Sequence, residues 1–339
     1  MHSNRGQRTM KKILVAGGAG FLGSNLCRKI LHDFSDVEII CVDNFYTGSM
    51  KNIVDMLGDP RFEFKKGDIN ALDSLNFNVD EIYNFACPAS PPHYQNDPIY
   101  TMKTNVVGVI NLLELARKCN ARILQSSTSE VYGNPTINVQ SENYFGNVNC
   151  TGIRACYDEG KRSAEALMFD FHRLYNVNIK VVRIFNTYGE YMRCDDGRVV
   201  SNFIVQCLSN QNITIYGDGM QTRSLCYVDD LLDGIIKMMQ SNDMIIGPIN
   251  LGNPEEYTIN EIAKKIIRLT RANSKIVYCP LPSDDPQCRK PDISLAKGVL
   301  NWYPAISLEV GLLKTIDWFK TQINSNGDDI GGEIYNRCS

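Results

Sequence analysis

The first half of the chain alternates short apolar runs with longer segments in which apolar residues recur every three or four positions. Short apolar runs predict β-strands, and the recurring spacing predicts helices. The predicted strands are 12–16, 37–42, 62–66, 81–86, 122–125 and 179–184. The predicted helices are 21–31, 99–119 and 157–175. Strands that alternate with helices predict an α/β fold with a parallel, doubly wound sheet.

The pattern becomes less regular after residue 186. Helices are predicted at 200–209, 228–240, 259–270 and 308–321, with short strands near Ile213 and Ile249. We therefore expect a flexible tail at 1–10, a sheet domain at 11–186 to which some later segments return, a smaller lobe mainly at 187–323, and a Gly- and Asp-rich flexible tail at 324–339.

A glycine-rich loop follows the first predicted strand and begins the first predicted helix. Its sequence is Gly17-Gly18-Ala19-Gly20-Phe21-Leu22-Gly23. Its three spaced glycines allow a tight turn, close approach of the backbone to a pyrophosphate and close packing of the helix. The helix N-terminus then offers free N–H groups to the phosphates. A loop of this kind alone also occurs in simple turns, but the order strand, loop, helix, strand predicts a Rossmann-type dinucleotide site.

Asp43 ends the second predicted strand and indicates which dinucleotide binds. Its carboxylate can accept hydrogen bonds from a ribose 2′-hydroxyl and repels a 2′-phosphate, which favours NAD over NADP. The alternative is that Asp43 only caps a turn. The residues expected around the cofactor on these strand ends are Gly17, Gly20, Phe21, Leu22, Gly23, Asp43, Asn44, Phe45, Thr47, Gly48, Asp68 and Ile69.

Reactive groups follow in two later segments. Thr128, Ser129 and Glu130 come after the strand at 122–125, where the substrate of a parallel sheet is expected. Tyr157 and Lys161 are four residues apart on one helix face, about 6 Å apart at Cβ. A neighbouring ammonium lowers the pKa of a phenol, which predicts that Tyr157 acts as a base toward a sugar hydroxyl. The alternative is a surface tyrosine beside a solvated lysine.

With these motifs the chain resembles the extended short-chain dehydrogenase/reductase superfamily, and within it the UDP-glucuronate decarboxylase (UDP-xylose synthase) family. The resemblance covers roughly residues 11–319. The matching segments are 84–94, 154–162, 183–189, 196–203, 250–256, 284–286 and 289–292. It implies an NAD-dependent enzyme that acts on UDP-glucuronate.

The resemblance implies a reaction in three steps without net oxidation. Tyr157, assisted by Lys161 and Thr128, takes the C4 hydroxyl proton while hydride passes to NAD. The 4-keto sugar is a β-keto acid and loses CO2, and the hydride then returns to C4 to give UDP-xylose. The catalytic residues implied are Thr128, Ser129, Glu130, Tyr157, Lys161 and Arg289, and the sequence does not divide the decarboxylation step between Glu130 and Arg289.

The resemblance also implies binding residues beyond these motifs. Those expected at NAD are Ala86, Tyr157, Lys161, Thr187 and Arg198. Those expected at the UDP-sugar are Lys103, Asn186, Val200, Asn202, Tyr216, Gln221, Arg223, Tyr227 and Arg289. Each basic residue, taken singly, is equally consistent with a surface salt bridge. A homodimer through the helices at 99–119 and 157–175 is implied, although their apolar residues are equally consistent with core packing.

The chain departs from the family pattern at two places. The family usually continues Asn-Thr-Tyr-Gly with Pro-Arg-Met, whereas this chain has Gly189-Glu190-Tyr191-Met192-Arg193. Ile153 replaces a proline before Arg154. We expect changed local contacts to NAD or to a partner subunit, and a less rigid loop at Ile153, with the chemistry retained.

Two other functions are weighed against this interpretation. A nucleotide-sugar 4,6-dehydratase or 4-epimerase shares the fold, NAD and the Tyr–Lys pair. Dehydratases normally have an aspartate where this chain has Ser129, however, and an epimerase needs no Arg289 to handle a carboxylate. A non-catalytic NAD-binding scaffold is the second alternative, and such a chain is expected to lack part of the site.

Composition limits the partners of the chain. A formal net charge of −3 over 339 residues gives no reason to expect nucleic acid or a membrane surface. Apolar runs fall short of the roughly 20 residues that span a bilayer, and the polar start argues against a secretory signal. Twelve cysteines without CxxC pairs predict reduced, mostly buried thiols in a cytoplasmic protein. The four histidines are not spaced as metal ligands, so no metal is expected.

Overall fold

The computed structural model describes residues 10–74, 77–280 and 289–326. The strands are β1 (Lys11–Ala16), β2 (Val37–Asp43), β3 (Phe62–Lys66), β4 (Glu81–Asn84), β5 (Arg122–Thr128), β6 (Ile179–Ile184), β7 (Thr187–Tyr188), β8 (Ile213–Tyr216), β9 (Thr222–Ser224), β10 (Cys226–Tyr227), β11 (Ile249–Leu251), β12 (Glu256–Thr258) and β13 (Ile276–Cys279). The helices are α1 (Phe21–Asp33), α2 (Pro91–Asn96), α3 (Pro98–Lys103), α4 (Val109–Cys119), α5 (Ala155–Tyr175), α6 (Val199–Leu208), α7 (Val228–Gln240), α8 (Ile259–Thr270), α9 (Ser294–Leu300) and α10 (Leu308–Asn326).

Seven of these strands form one parallel sheet in the order β11-β6-β5-β4-β1-β2-β3. The chain runs outward from β1 to β2 and β3 on one side and returns to β4 and β5 on the other. The order therefore reverses beside β1, and a crevice is expected at the carboxyl ends of the strands at that point. This topology confirms the predicted doubly wound α/β fold.

Strand β1 shows why its sequence is a continuous apolar run. Ile13 and Val15 belong to the core on the side of α1 and α7. Leu14 and Ala16 alternate with them and belong to the core on the side of α4 and α5. From Ile13 to Ala16, where helices cover both faces of the sheet, every side chain of β1 is buried, so apolar and polar residues do not alternate there.

Several predicted bounds differ from the structure. The strand predicted at 122–125 continues through Thr128, because Ser126, Ser127 and Thr128 still pair with β6. The strand predicted at 81–86 ends at Asn84. The helix predicted at 99–119 is interrupted by a π-helical turn, Thr104–Gly108, between α3 and α4. The bounds predicted at 62–66, 179–184, 228–240 and 259–270 are confirmed.

The part of the chain after residue 186 forms the second lobe and one piece of the sheet. Helices α6, α8 and α10 pack together, and β8 pairs with β13 beside them. Strand β11 pairs with β6 at the edge of the main sheet, so a late segment joins it. Helix α10 extends to Asn326, so the predicted tail at 324–339 begins too early. Residues 1–9 and 327–339 of the two predicted tails, and the motif at 284–286, lie outside the described residues.

Two further expectations concern membranes and thiols. Within the described ranges, the helices are too short or too polar to cross a bilayer. Ten cysteines in those ranges are free thiols, of which only Cys27, Cys41, Cys207 and Cys226 are buried. The expectation of mostly buried thiols is wrong, because others lie at partly open positions such as the loop that carries Cys150.

A buried ion pair fixes α5 against the sheet. The guanidinium of Arg183 on β6 binds Glu165 of α5 through two hydrogen bonds of 2.9 and 2.7 Å. Glu165 also accepts a hydrogen bond from the hydroxyl of Ser127 on β5. Both charged side chains are about nine-tenths buried. Helix α5 is thus held to the two strands next to the reactive segment.

We expect Glu165→Ala to lower the free energy of unfolding by about 3 kcal/mol or more, because it leaves the buried Arg183 charge unpaired. Denaturant titration measures the change. Asp170→Ala on the same helix is the matched control, since Asp170 pairs with Arg173 in solvent, with each side chain 65% exposed. Its loss is expected to cost less than about 0.5 kcal/mol. Equal effects of the two substitutions would contradict a structural role for the buried pair.

Candidate active site

A cavity of about 640 Å³ lies at the carboxyl ends of the sheet strands. The β1–α1 loop and the ends of β2, β4 and β5 line one part of it, and residues of the second lobe line another. This is the crevice expected where the strand order reverses. The cavity is large enough to hold a small-molecule ligand buried between two lobes.

The glycine-rich loop lines this cavity and requires its glycines. Gly17 has a φ of +74°, and a Cβ there would come within 2.7 Å of the carbonyl carbon of Phe85. A Cβ on Gly23 would come within 2.2 Å of the Gly17 carbonyl oxygen. Gly20 precedes α1 and has no side chain to cap it, so the first N–H groups of the helix are available to an anion. The loop is built to bring its backbone close to a pyrophosphate.

Asp43 lines the same cavity and holds the loop in place. Its carboxylate accepts hydrogen bonds from the backbone N–H groups of Ala19, at 2.9 Å, and Phe45, at 2.8 Å. Burial raises the pKa of Asp43, and these two hydrogen bonds oppose the rise. A carboxylate accepts about four hydrogen bonds, so it retains capacity for ribose hydroxyls. The loop and Asp43 therefore fit NAD.

Strand β5 and helix α5 bring the reactive groups together. Thr128 ends β5, and its hydroxyl accepts a hydrogen bond from the Glu130 N–H at 3.2 Å at the start of the short helical turn Ser129–Tyr132. Helix α5 carries Tyr157 and Lys161, and the Lys161 ammonium donates to the Ser126 carbonyl at 2.9 Å. Thr128, Ser129, Glu130, Tyr157 and Lys161 all line the cavity.

The structure corrects the expected pKa of Tyr157. Burial raises this pKa above the ordinary value of a phenol, and a hydrogen bond with Thr128 opposes the rise. The Lys161 ammonium lies 5.9 Å from the centre of the Tyr157 ring, and burial lowers the pKa of Lys161 itself. The expected lowering of the Tyr157 pKa by the neighbouring Lys161 is therefore not the net result in this structure, because loss of hydration is the largest influence and raises that pKa.

Glu130 lies between two guanidinium groups. Arg289 donates to it through Nη2 at 3.0 Å and Nε at 3.3 Å, and Arg154 donates to the same carboxylate. Burial alone would raise the pKa of Glu130, but the charges of Arg289 and Arg154 outweigh burial and lower it to about 2. Glu130 is thus an anion at neutral pH, and Arg289, 3% exposed, is held beside it.

Most of the predicted binding residues also line the cavity. On the cofactor side these are Gly17, Gly20, Phe21, Leu22, Gly23, Asp43, Asn44, Thr47, Asp68, Ile69, Ala86, Thr187 and Arg198. On the substrate side they are Asn186, Val200, Asn202, Tyr216, Gln221, Arg223 and Arg289. Their roles toward particular ligand atoms stay predictions.

Four predicted residues are placed elsewhere. Lys103 is exposed at the end of α3 and is not among the described residues that line the cavity. Phe45 turns toward Phe64, with ring centres 5.1 Å apart. Gly48 adjoins the carboxylate of Asp43, 2.8 Å from where its Cβ would stand. Tyr227 is buried against Tyr188, and its hydroxyl donates a hydrogen bond to Glu190. Phe45 and Gly48 thus support the cofactor loop, and Lys103 and Tyr227 do not form the cavity wall.

Two residues that were not predicted belong to the reactive end. Tyr94 lies flat against Tyr157, with ring centres 5.0 Å apart and an angle of 8° between the rings. Arg154 binds Glu130 and lines the cavity. Both lie in segments that carry the resemblance, 84–94 and 154–162, so the sequence motifs already contained these two residues. Their position against Tyr157 and Glu130 depends on tertiary contacts that spacing does not reveal.

The departure at Glu190 and Tyr191 has a local structural outcome. The Tyr191 ring lies between the Arg28 guanidinium, 3.7 Å from its centre, and Trp318 on α10, 4.1 Å between ring centres. Arg193 pairs with Asp195 and lines the cavity. Tyr191 thus connects α1 with α10, and Arg193 still places an arginine at the cavity.

Comparisons with known proteins agree with this geometry. The sequence profile of the NAD dependent epimerase/dehydratase family matches residues 13–252. UDP-glucuronic acid decarboxylase 3 of Arabidopsis thaliana is 49% identical over 92% of this chain and 90% of its own length. UDP-glucuronic acid decarboxylase 1 of Danio rerio is 47% identical over 95% of this chain and 76% of its own length.

Solved structures give the same fold. A UDP-glucuronic acid 4-epimerase from Bacillus cereus, in complex with UDP-glucuronic acid and NAD, has a TM-score of 0.84 at 28% identity and covers 92% of this chain and all of its own. A dTDP-glucose 4,6-dehydratase from Bacillus anthracis, in complex with NAD, has a TM-score of 0.82 at 27% identity, covering 93% of this chain and 98% of its own.

The chain therefore belongs to the NAD dependent epimerase/dehydratase family of enzymes. Within that family it belongs with the UDP-glucuronic acid decarboxylases, which are about half identical to it over most of its length. The predicted resemblance and the predicted cofactor, NAD, are confirmed.

We expect Gly23→Ala to weaken NAD binding, because the added methyl group meets the Gly17 carbonyl. A backbone shift that costs about 2 kcal/mol corresponds to a roughly thirtyfold loss of affinity. Titration calorimetry with NAD measures it. Gly58→Ala is the control, since a Cβ at Gly58 has open space among the described residues, and its affinity should be unchanged. Unchanged binding by the Gly23 variant would contradict the close packing of this loop.

Proposed function

We propose that this chain converts UDP-glucuronate to UDP-xylose and CO2, with Tyr157 as the base at C4 and the Glu130–Arg289 pair serving the loss of CO2. The observation that carries this proposal is the pairing of a Tyr–Lys hydride site with two arginines around one glutamate in a single cavity. When bound, NAD+ provides a hydride acceptor and a positive charge that favours the ionised form of a nearby phenol.

In the first step Tyr157 removes the proton of the C4 hydroxyl. Thr128 hydrogen-bonds to the phenol, which helps to carry the charge of the ionised oxygen. Lys161, fixed by the Ser126 carbonyl, adds positive charge behind the ring. The product is a 4-keto sugar whose C5 carries the carboxylate, that is, a β-keto acid.

In the second step the C5–carboxylate bond breaks and its electron pair passes to the C4 carbonyl as an enolate. A proton must then reach C5, so that the step consumes one carboxylate and one proton and yields CO2. Arg289 is buried and charged beside Glu130, where it can orient the departing carboxylate. Glu130 has a pKa of about 2, so it acts as an anion that holds the arginines.

In the third step the hydride returns to C4 while Tyr157 gives back its proton. The sum of the three steps leaves the cofactor and Tyr157 as they began. A hydrolytic water is not needed at any step, which suits a cavity buried between two lobes.

The alternative within the family is epimerisation at C4 with the carboxylate retained. The relative with UDP-glucuronic acid in its structure is named a 4-epimerase, so fold alone does not separate the two reactions. The decarboxylase relatives at 47 to 50% identity and the two arginines at Glu130 favour decarboxylation.

The test is to incubate the protein with UDP-glucuronate and NAD+ and to measure CO2 and UDP-xylose. Tyr157→Phe should lower turnover by about 10²- to 10⁴-fold, because it removes the general base, while NAD binding is retained. UDP-galacturonate as the main product would make the chain an epimerase. Bound NAD without turnover would favour the scaffold alternative.

Replacing Arg289 separates oxidation from decarboxylation. Arg289→Gln should slow CO2 release by about 10²-fold or more, since a preorganised charge at the reacting carboxylate is removed. NADH and a 4-keto sugar should accumulate, which the absorbance of NADH and mass spectrometry detect. Arg268→Gln, at an exposed ion pair, is the control. Normal CO2 release by the Arg289 variant would refute this role.

A homodimer is also proposed, by analogy with the superfamily, through α3, α4 and α5. Its support is the exposure of large apolar side chains on these helices and on the π-helical turn between α3 and α4. Ile99 is 67% exposed, Val107 41% and Leu174 70%. A cytoplasmic location stays a prediction from composition.

A further inference from the structure

We propose that Arg154 and Arg289 together bind the carboxylate of the substrate, and that Asp158 takes up a proton as this carboxylate binds. Arg154 is thereby assigned as a specificity-determining residue and Asp158 as a positioning residue that sets the charge of the site. The inference rests on the proposed function, because it takes UDP-glucuronate as the ligand.

Arg154 is placed where the carboxylate of the substrate must come. It is the N-cap residue of α5, three positions before Tyr157, and it lines the cavity. Tyr157 works at C4, and the carboxylate is attached to the adjacent ring carbon, C5. A guanidinium beside Tyr157 therefore stands within reach of that carboxylate, opposite Arg289 across Glu130.

The protonation of Asp158 changes how strongly Arg154 attracts a further anion. Arg154 and Arg289 both bind the carboxylate of Glu130. Ionised Asp158, whose Oδ2 lies 3.8 Å from the Arg154 Nε, places a second negative charge beside Arg154. The site thus attracts a carboxylate more strongly when Asp158 is protonated.

Asp158 has the surroundings of a carboxyl group that changes its protonation. It is 7% exposed, and its Oδ1 is buried with no hydrogen-bond partner among the described residues. Burial is the main cause that raises the pKa of Asp158 to about 7, and the Glu130 charge adds to it, whereas Arg154 and Arg289 oppose it. The other titratable groups that face Asp158 are Glu159, Cys156 and Tyr94.

Binding a second anion beside Arg154 raises the pKa of Asp158 further, so proton uptake must accompany substrate binding. The amount of proton uptake depends on how far Asp158 is already protonated before the substrate binds. Below pH 6 Asp158 is already protonated and takes up nothing, at pH 7 it takes up about half a proton, and near pH 8 it approaches one. CO2 leaves as a neutral molecule, and the negative charge of the carboxylate passes to the enolate. When C5 takes up a proton this anion is neutralised, the pKa of Asp158 falls back, and Asp158 releases the proton that it took up on binding.

The experiment measures proton uptake by titration calorimetry in buffers of different ionisation enthalpy. The protein is the NAD-loaded Tyr157→Phe variant, which binds without turnover, and the ligands are UDP-glucuronate and UDP-glucose. We expect uptake with UDP-glucuronate only. Its affinity should fall by up to about tenfold per pH unit above pH 7, whereas that of UDP-glucose should stay flat. Equal uptake with both sugars, or none, would overturn the role of Asp158.

Variants assign the effect to the two residues. Asp158→Asn should abolish the uptake and flatten the pH dependence for UDP-glucuronate. Arg154→Gln should lower the affinity for UDP-glucuronate by about tenfold or more and leave UDP-glucose within twofold, with partial recovery in Arg154→Lys. Arg173→Gln, on the exposed side of the same helix, should change neither affinity. If Arg154→Gln weakens both sugars equally, the residue is structural and the inference fails.

Turnover by the unmodified enzyme keeps the two hypotheses apart. If it releases CO2 from UDP-glucuronate and the binding experiments show no linked proton, the proposed function stands and this inference is wrong. If it forms UDP-galacturonate instead, the proposed function is wrong, whatever the calorimetry shows.

Discussion

The site depends on the buried contact of Glu165 with Arg183 and Ser127, which fixes α5 against β6 and β5. Lys161 lies one turn and Tyr157 two turns before Glu165 on that helix, and Thr128 directly follows Ser127 on the strand. A slip of the helix by one turn would move the phenol about 5.4 Å along the axis. A buried, bidentate ion pair resists such a slip, because breaking it leaves buried charges without partners.

Burial acts differently on the two ionisable groups at the reactive end, Tyr157 and Glu130. At Tyr157 loss of hydration dominates, so the neutral phenol is stabilised until positive charge comes close. At Glu130 two guanidinium groups dominate, so the carboxylate stays ionised despite its burial. One cavity therefore holds a neutral phenol, which is the proposed base, and a carboxylate that stays ionised at neutral pH. That difference suits a reaction that moves a hydride at one carbon and loses a carboxylate from the next.

Much of this could be predicted from the sequence, for physical reasons visible in particular residues. Continuous apolar runs such as β1 predict a buried parallel strand, and the glycines at 17, 20 and 23 permit a backbone path that other residues obstruct. The extension of β5 through Ser126 and Ser127 was missed, because their polar side chains are buried by hydrogen bonds rather than by apolarity. Lys103 and Tyr227 were assigned to the cavity, yet helix direction turns one outward and packing buries the other.

The sequence by itself determined the doubly wound sheet and the NAD loop, since these depend on local pattern and spacing. It also predicted the reacting groups, in part from the Tyr–Lys spacing and in part from the resemblance to a known family. Only the tertiary structure decided that Arg154, Arg289 and Asp158 surround Glu130. It also decided that burial is the largest influence on the pKa of Tyr157. The reason is that charge and hydration act through space. Residues 130 and 289 are distant along the chain, and their interaction exists only once the fold has brought them together in a place from which water is largely excluded.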